Sequence, residues 1–294
     1  MARAVPQYPE EQLAPLADAY ERAVAGRRWR TGLILAIVGL AALLAGAAGE
    51  VDIGKFIGNI HRLPSYLRDI TPTLTWSNLG PDVAEWYWNF GGWLKLLVDT
   101  VLIAYLATLI GAICAFLLCF TASANLVHNP VIRFIARRFL EFCRTVPDIV
   151  FALIFVVAFG LGAMPGVLAI AIHTTGALGK LFAEVVENID MKPVEGVIAA
   201  GGNFRQVVRF AVIPQVLANF TSYALLRFEI NARSATVIGF VGAGGIGQDL
   251  LEAIRKFYYS DVSAILLLII GMVMIIDMTT ERVRHALIGL GGGR

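Results

Sequence analysis

Polar side chains recur at every fourth residue along one otherwise apolar segment, at Gln215, Asn219, Tyr223, Arg227 and Asn231. This spacing keeps them on one face of an α-helix, and at about 1.5 Å per residue the stripe extends over roughly 24 Å. Such a face is very unfavourable against lipid, so it predicts a protein interior or a water-filled path. Arginine at such a place is suited to a tetrahedral oxyanion, because the planar guanidinium donates paired hydrogen bonds.

Arg227 is the residue of this stripe that we expect to bind the substrate. Glu229 lies four residues before Arg233, and this spacing predicts an ion pair between them. Arg227 then has no acidic partner on its own helix, so we expect it to face the passing oxyanion together with Asn231. The alternative is a structural arginine paired with Glu184 or Asp148.

Other polar and glycine residues extend the predicted path. His173 lies near the middle of an apolar run and is a second path-lining candidate, although a membrane histidine is more often hydrogen-bonded between helices. Beyond the stripe, glycine lets backbones approach closely, which predicts a narrow backbone-lined gate. The candidates for the outer end of the path and its gate are Arg233, Ser234, Thr236, Gly242, Gly244, Gly245 and Gly247.

The composition is that of a membrane protein. Hydrophobic residues make up 57% and charged residues only 16% of the chain, and the mean hydropathy is +0.71, whereas soluble domains carry about a quarter charged residues. Charge-poor runs of membrane-spanning length predict an all-α polytopic protein with about six transmembrane helices. These runs cover residues 32–49, 100–127, 146–162, 164–183, 212–230 and 262–276, with a tight hairpin between the third and the fourth.

The distribution of basic residues predicts that both termini are cytosolic. Arginine and lysine concentrate around residues 22–30, 133–144, 192–209 and 282–294, and are sparser in the alternate segments. Three segments follow: a cytosolic segment 1–31, a first span with an external loop over 32–92, and a core over 93–294. The first span is predicted to be an uncleaved anchor, since it exceeds a signal-peptide core. Trp86, Trp88, Trp93, Tyr258 and Tyr259 fit an outer aromatic belt.

The cytosolic segment between the fourth and fifth spans, residues 184–213, is expected to form a helix–turn–helix that docks onto another protein. Pro193 suits a helix start, and Glu195 behind it complements the positive end of the helix dipole. Gly201 and Gly202 interrupt the helix, and Pro214 opens the next span. An ordinary cytosolic connection is the alternative that composition alone leaves open.

This segment resembles the EAA loop of the membrane subunits of ATP-binding-cassette importers, which docks into a groove on a separate ATPase subunit. In that pattern a Glu-Ala-Ala is followed by a Gly six residues after the Glu, then by Ile-x-Leu-Pro. Glu195, Gly201 and Pro214 match it, whereas Gly196 and Val197 replace the alanines and Ala211 and Ile213 replace the Ile and Leu. The resemblance implies coupling residues at Glu195, Gly196, Ala199, Ala200, Gly201, Gly202, Arg205 and Pro214.

Three further stretches resemble the phosphonate-transport permease branch of this family. They read RTVPDI at 144–149, HTTGALGKL at 173–181 and RSATVIGFVGAGGIG at 233–247, and the similarity covers roughly residues 95–285. Phosphonate, phosphite and phosphate importers share this branch, so all three substrates stay open. The resemblance implies a type I ABC-importer permease with a cytosolic coupling helix, in the inner membrane of a prokaryote.

The same resemblance implies the partners. They are a second permease copy, two cytosolic ATPase subunits on the coupling loops, an external substrate-binding protein and membrane lipid, with no nucleic acid. ATP and Mg²⁺ belong to the ATPase, and this chain is expected to bind no cofactor and to catalyse nothing. The pore is expected to be a homodimer, with a heterodimer as the alternative.

Two glycine-containing stretches of the chain partly match nucleotide-binding motifs. Gly242, Gly244 and Gly247 match the dinucleotide fingerprint, but that motif needs a preceding strand and a later acidic residue. Gly176, Gly179 and Lys180 lack the P-loop spacing. No catalytic constellation and no metal cluster is evident in the sequence, and the cysteines lack metal-ligand spacing.

Two other functional classes make different demands on the sequence. An ion-coupled secondary transporter of a small anion would need intramembrane carboxylates and an inverted repeat. A membrane-bound nicotinamide enzyme would depend on the glycine string alone.

Overall fold

The computed structural model describes residues 10–291, and within them the side chains of Pro15, Tyr20 and residues 24–286. Every regular element in this described range is helical, which confirms the all-α prediction. The first nine residues of the predicted segment 1–31 and the last three of the predicted core 93–294 lie outside the described residues.

The helices follow one another with short connections. They are α1 (Glu10–Ala48), α2 (Ile53–Asn59), α3 (Arg62–Ile70), α4 (Leu79–Trp86), α5 (Phe90–Ala122), α6 (Pro130–Thr145), α7 (Asp148–Phe159), α8 (Ala163–Glu187), α9 (Lys192–Ala199), α10 (Phe204–Val207), a π turn (Val208–Val212), α11 (Ile213–Ile238), a 3₁₀ turn (Gly239–Val241), α12 (Ile246–Arg255) and α13 (Tyr259–Gly291).

The chain divides into two compact units, Met1–Leu67 and Arg68–Arg294. In the first unit, the stretch Val24–Ala48 of α1 is long and apolar enough to cross a membrane. This confirms the predicted first span, although the apolar helix begins eight residues before the predicted start at residue 32.

In the second unit, Phe90–Ala122, Ala163–Glu187 and Tyr259–Ala286 each qualify as a span. Two further spans consist of bent helix pairs: α6 with α7 at 84°, and Phe204–Val241 with α12 at 48°. The described residues therefore hold four candidate spans, or up to six when each bent pair is taken as one. The predicted count of six corresponds to the second reading.

The third span differs from its prediction. Residues 146–162 were expected to form a simple hairpin arm, but the apolar helix α7 is preceded by the amphipathic helix α6, which packs along α8. The bend falls at Val146 and Pro147 because proline disfavours helical backbone in the residue before it. Arg144, expected in a cytosolic loop, lies beside Gly176, which at 1.5 Å per residue is roughly 16 Å along α8 from its cytosolic end.

Small residues permit these close helix crossings. A Cβ at Gly176 would lie 2.5 Å from the Arg144 backbone nitrogen, and one at Gly111 of α5 would lie 2.7 Å from Thr174 of α8. Real Cβ contacts of this length do not occur, so the backbones touch only because these side chains are absent. Helices in lipid depend on such packing, since the bilayer supplies little hydrophobic driving force between them.

We expect Gly176→Ala to destabilise the protein by about 1–3 kcal/mol, because the methyl group meets fixed backbone rather than a mobile side chain. Gly271→Ala is the matched control, since a Cβ at Gly271 of α13 meets nothing within 4 Å. The measurement is thermal unfolding in detergent, followed by fluorescence-detected size exclusion. Equal midpoints for the two variants would contradict the close crossing.

Buried side chains form two clusters along the second unit. One joins the first halves of α5 and α8 to α7, α12 and α13, and includes Trp93, Ile170 and Ile265. The other joins the second halves of α5 and α8 to the segment 194–220. In the second cluster the Phe182 and Phe220 rings stack at 4.0 Å between centroids, so the loop beneath α11 is packed onto a rigid aromatic core.

The two aromatic segments predicted for the outer belt meet in space. The Trp86 indole N–H donates to the Ser260 carbonyl oxygen at 3.0 Å, and the Trp88 indole N–H donates to Asp261 Oδ1 at 3.1 Å. These bonds join the segment before α5 to the start of α13. Indole groups bonded in this way suit a membrane–water interface, where one end of the ring is wet.

Candidate functional site

The predicted coupling segment folds as a compact helix–turn–helix. Helix α9 begins after Met191, with Pro193 in its first turn and Glu195 exposed close behind. The missing N–H of Pro193 costs nothing at this position, because the first N–H groups of a helix have no intrahelical partner. The exposed carboxylate of Glu195 near the helix start is favoured by the helix dipole.

The end of α9 explains the six-residue spacing between Glu195 and the first glycine. Gly201 has φ +81°, its N–H donates to the Ile198 carbonyl at 2.9 Å, and the Gly202 N–H donates to the Val197 carbonyl at 2.9 Å. This is the Schellman arrangement, in which a left-handed residue satisfies the last carbonyls of a helix. Gly201 therefore sets the length of α9 and the direction in which the chain leaves it.

Helix α10 begins with a reciprocal cap that sequence reasoning missed. Asn203 Oδ1 accepts the Gln206 backbone N–H at 3.0 Å, and Gln206 Oε1 accepts the Asn203 N–H at 2.8 Å. The signal was present, since Asn followed three residues later by Gln is the pattern of a capping box. The turn between the two helices is thereby fixed on both sides.

Seven of the eight predicted coupling residues are exposed. Val194 and Val207 are buried in the aromatic cluster, whereas Ile198 and Phe204 expose about half of their surface, at 57% and 48%. Gly202 is half-buried, and the exposed members are Glu195, Gly196, Ala199, Ala200, Gly201, Arg205 and Pro214. An inward apolar face and an outward mixed face are what a docking element requires.

The loop continues into α11 without a break. Helix α10, the π turn Val208–Val212 and α11 follow one another directly, and Pro214 lies in the first turn of α11. Proline inside a helix removes one hydrogen bond and displaces the preceding carbonyl, and the wider π turn accommodates this change. The side chain of Gln215 then closes the base of the loop, because its Oε1 accepts the Asp190 N–H at 3.1 Å and its Nε2 donates to the Asp190 carbonyl at 3.2 Å.

The cytosolic half of the polar stripe lines an open cleft between the end of α8 and the start of α11. Asn219 and Tyr223 face this cleft together with Gln215, opposite Glu184 and Asn188. The cleft is polar and open, as a water-filled entrance would be. Gln215 also has the bracing role just described.

The far end of the stripe is a buried junction of three helices. Asn231 is fully buried, at 0% exposure, and its Nδ2 donates to Thr108 Oγ1 of α5 at 2.8 Å and to Thr174 Oγ1 of α8 at 2.9 Å. Its Oδ1 is buried without a hydrogen-bond partner in the described structure. Asn231 therefore connects α5, α8 and α11, and neither threonine was anticipated from sequence, because the partners lie 123 and 57 residues away.

Arg227 lies one helical turn before this junction. Its Nε is 3.5 Å from Thr174 Oγ1, and within the described residues no carboxylate oxygen lies within 4.0 Å of its guanidinium. Of the two structural partners considered, Glu184 pairs with Lys180 on its own helix at 3.4 Å. Asp148, at the start of α7, acts on Arg227 electrostatically, so Arg227 has a charged neighbour but no direct ion pair.

The remaining path candidates differ in their surroundings. Arg233 is exposed and forms the expected ion pair with Glu229. Ser234 is half-buried, and Thr236 is buried with its hydroxyl directed to the Ala232 carbonyl at 3.3 Å. His173 Nδ1 is 3.1 Å from the Val146 carbonyl, so this ring bridges α8 to the bend between α6 and α7.

The glycine segment 239–247 is packed tightly against the neighbouring helices. Gly242, Gly244 and Gly245 have φ values of +84°, +83° and +81°, and a Cβ at Gly247 would collide with the Thr236 carbonyl. The Thr100 hydroxyl of α5 accepts the Ile246 N–H at 2.9 Å. Helices flank the segment on both sides, unlike the strand and helix that flank a dinucleotide fingerprint.

Comparison with known proteins decides the family. The family of binding-protein-dependent transport system inner membrane components matches residues 107–287, which is more than half of the chain. The chain belongs to this family. The matched range holds α6–α12, so the permease family covers the coupling loop, the stripe and the glycine segment.

Curated relatives of this permease are also permease proteins of transport systems. The phosphite transport system permease protein PtxC of Stutzerimonas stutzeri is 37% identical over 250 residues, covering 85% of this chain and 86% of that protein. The phosphate-import permease protein PhnE of Mycolicibacterium smegmatis is 40% identical over 194 residues, covering 66% and 36%. A putative cryptic phosphonate transport system permease protein of Escherichia coli, PhnE2, is 50% identical over 117 residues, covering 40% and 96%.

Solved structures show that the fold is that of an ABC-importer permease. A chain of an amino acid ABC transporter aligns with TM-score 0.54 at 17% identity, covering 68% of this permease and 98% of that chain. A chain of the MetNI methionine ABC transporter aligns with TM-score 0.56 at 15% identity, covering 66% and 95%. This permease is thus a multi-pass inner-membrane protein with the type I importer fold, and it works with other ABC transporter components.

We expect Thr174→Val to destabilise the permease by about 0.6 kcal/mol and by no more than about 1.7 kcal/mol, the average and the maximum measured for hydrogen bonds between membrane helices. The substitution removes the hydroxyl that accepts from Asn231 and lies beside Arg227. Thr175→Val is the matched control, because the Thr175 hydroxyl bonds to the Ala171 carbonyl of its own helix. Denaturant unfolding of both variants in mixed micelles is the measurement, and equal losses would show that the junction contributes nothing particular.

Proposed function

We propose that this permease subunit translocates a phosphorus oxyanion, namely a phosphonate, phosphite or phosphate, into the cytoplasm. The observation that carries the substrate class is Arg227, a guanidinium at the α8–α11 crossing with no carboxylate oxygen within 4.0 Å in the described part of the chain. Asp148 acts on this cation without a direct ion pair, so a tetrahedral oxyanion can supply the direct anionic partner that the guanidinium lacks among the described residues. The names of the relatives, which mention phosphite, phosphate and phosphonate transport, support the same class.

Transport then proceeds by alternating access with no covalent change in the substrate. A cytosolic ATPase subunit grips the loop around Glu195 and Gly201, and ATP-driven closure of the ATPases moves the loop. The movement passes directly into α11, because the loop and α11 form one continuous run. ATP and Mg²⁺ act on the ATPase chains, and this subunit contributes no catalytic group and binds no cofactor.

The complete importer in this proposal contains two copies of the permease, two ATPase subunits and one external substrate-binding protein. A homodimeric pore requires each copy to contribute the stripe from Asn219 to Arg227 to a shared path, while Asn231, buried inside one copy, braces α11 against α5 and α8. His173, Arg233, Ser234 and Thr236 would line that path, and the four glycines between residues 242 and 247 would form its outer gate. The arrangement is supported by the exposure of Asn219 and the half-burial of Tyr223 in the single chain.

An ion-coupled secondary transporter is not favoured. Glu229, the acidic residue well inside the fifth span, is ion-paired with Arg233. The family and the curated relatives belong to binding-protein-dependent and phosphorus-oxyanion transport systems.

The test is uptake into proteoliposomes that contain the permease, its ATPase and its binding protein. Uptake of labelled phosphite, methylphosphonate, phosphate and sulfate is measured separately. Each measurement is made with ATP supplied either on the side of the membrane that carries the ATPase or only on the opposite side. ATP-dependent uptake of one phosphorus oxyanion, with sulfate excluded and an ionophore without effect, is the expected result. Uptake that collapses with the ionophore while ATP is maintained would overturn the proposal in favour of ion coupling.

A further inference from the structure

The segment that follows the first span contains two short helices with one apolar face each. In α2 the apolar residues are Ile53, Phe56 and Ile57, and Ile60 follows at its C-cap; they recur at positions i, i+3, i+4 and i+7. Their exposed fractions range from 54% to 67%. In water this would be an unfavourable surface, since the apolar side chains of a helix are normally buried on one face.

The opposite face of α2 is polar and well ordered. Asp52 caps the helix by accepting the Lys55 N–H at 2.8 Å, and its second carboxylate oxygen lies 3.4 Å from the Lys55 ammonium nitrogen. Asn59 donates to the Lys55 carbonyl at 2.7 Å. The helix thus has a definite register, with one side made for water and the other made for an apolar surrounding.

Helix α3 repeats the same division. Leu63 begins its apolar face and is 60% exposed, whereas Arg62 and Ser65 lie on the other side, with the Ser65 hydroxyl donating to the Arg62 carbonyl at 2.8 Å. The apolar residues of α3 are Leu63, Tyr66, Leu67 and Ile70, which repeat the spacing i, i+3, i+4 and i+7 of α2. Two consecutive helices with the same spacing indicate a continuous surface.

The covalent chain fixes where this surface can be. Helix α2 begins at Ile53, five residues after the membrane-spanning part of α1 ends at Ala48. Five residues reach at most about 17 Å even when fully extended. The start of α2 therefore lies within about 17 Å of the bilayer surface at which α1 ends, and only two residues separate α2 from α3.

We propose that α2 and the start of α3 lie flat on this bilayer surface, with Ile53, Phe56, Ile57, Ile60 and Leu63 inserted between the phospholipid headgroups. Short amphipathic helices of this kind bind in the interface plane, with the apolar face buried about 5–10 Å deep. The occupant of the apolar face is the lipid bilayer itself rather than another protein. The inference is independent of the transported substrate.

The charges of the segment predict that the lipid headgroup matters little. Asp52 is matched by Lys55, and Arg62 is followed by both Arg68 and Asp69. With nearly balanced charge, insertion depends on apolar burial rather than on attraction to anionic lipid. Bilayers with and without phosphatidylglycerol should therefore give the same depth of insertion.

The test uses the full-length permease in phosphatidylcholine nanodiscs. Single cysteines are introduced by Phe56→Cys and Ile57→Cys on the apolar face, and by Lys55→Cys and Asn59→Cys on the polar face, in a background with Cys114, Cys119 and Cys143 changed to alanine. A membrane-impermeant maleimide should react roughly tenfold more slowly at the apolar pair, because interfacial insertion excludes it from water. A bimane label at residue 57 should be quenched by lipid brominated near the headgroup more than by lipid brominated near the chain end.

Each result bears on the proposal. Equal and fast labelling at all four positions would overturn it, because the apolar face would then be in water. Slow labelling at residues 56 and 57 without quenching by brominated lipid would overturn it in favour of a protein partner. If the cysteine-free background assembles poorly, an environment-sensitive unnatural amino acid at residues 57 and 59 of the native chain gives the same comparison of quenching.

Discussion

Replacing Arg227 with glutamine is expected to reduce ATP-dependent uptake of the oxyanion about ten- to hundredfold, because a charge-assisted hydrogen bond contributes about 1.5–3 kcal/mol. The substitution keeps a donor of similar length beside Thr174 and removes the charge. Co-purification with the ATPase should be unchanged, since Arg227 is remote from the exposed surface of the coupling loop. The measurement is initial uptake in proteoliposomes alongside ATP hydrolysis by the same preparation.

The controls separate substrate binding from a structural role. Arg227→Lys keeps the charge but loses the planar fork, so an intermediate uptake is expected. Arg255→Gln removes an exposed arginine at the end of α12 and should transport normally. If Arg227 served only to neutralise Asp148, the double variant Arg227→Gln with Asp148→Asn would restore uptake. Normal transport by Arg227→Gln alone would remove the substrate role.

The second large effect is expected at Gly201. Its φ of +81° lies in the left-handed region, where a residue with a Cβ carries a cost of about 1–2 kcal/mol. A Cβ there meets no atom within 4 Å, so the backbone conformation alone decides the effect. Gly201→Val should therefore change the path of the chain between α9 and α10 and weaken co-purification with the ATPase by about tenfold, whereas Gly201→Asn should retain most of it, because asparagine tolerates this region.

Substitutions of Glu195 test whether the exposed surface of the same loop contacts the ATPase, independently of the loop backbone. Glu195→Arg reverses an exposed charge near the start of α9, and we expect it to abolish stimulation of the ATPase by the permease, whereas Glu195→Gln should be milder. Permease folding should be unaffected, because the side chain is exposed. Unchanged assembly and unchanged coupled hydrolysis in both Glu195→Arg and Gly201→Val would contradict the docking role of the loop.

The coupling loop was predictable because its determinants are local. Glycine, proline and the asparagine cap act within a few residues of their own position, and the sequence shows each of them between Pro193 and Pro214. The resemblance to a docking loop depended on the six-residue spacing between Glu195 and Gly201. The structure explains this spacing, because Gly201 ends α9. The reciprocal cap between Asn203 and Gln206 was equally local and was overlooked.

The placement of α6 was not predictable in the same way, although Pro147 marks the bend that follows it. Helix α6 carries Arg133, Arg137 and Arg138, which in a count of basic residues indicate a cytosolic loop. In the structure Arg137 instead donates to the Ala122 carbonyl at 2.9 Å and pairs with Glu187, so its charge is used to join helix ends. Only the packing of α6 against α8 gives this result, and such contacts have no local signature.

The polar stripe was predicted in position but not in the details of its contacts. Its period of four identified the face of α11, since side-chain direction follows from helix geometry. Which polar groups meet that face depends on α5 and α8, so the binding of Asn231 to Thr108 and Thr174 could not be read from α11 alone. The stripe is accordingly divided into a bracing residue at Gln215, a cleft at Asn219 and Tyr223, and a junction at Asn231.

The π turn at Val208–Val212 sets the angular phase between the docking surface and the polar stripe. A π turn holds one residue more than an α turn, and one residue corresponds to about 100° of rotation around a helix axis. Regular α-helix over the same residues would therefore turn the α9–α10 loop by about that angle relative to Arg227, whereas removing a single residue between 208 and 212 would restore regular α-helix and keep the present orientation. The extra residue thus sets the direction in which the α9–α10 loop faces relative to the polar stripe.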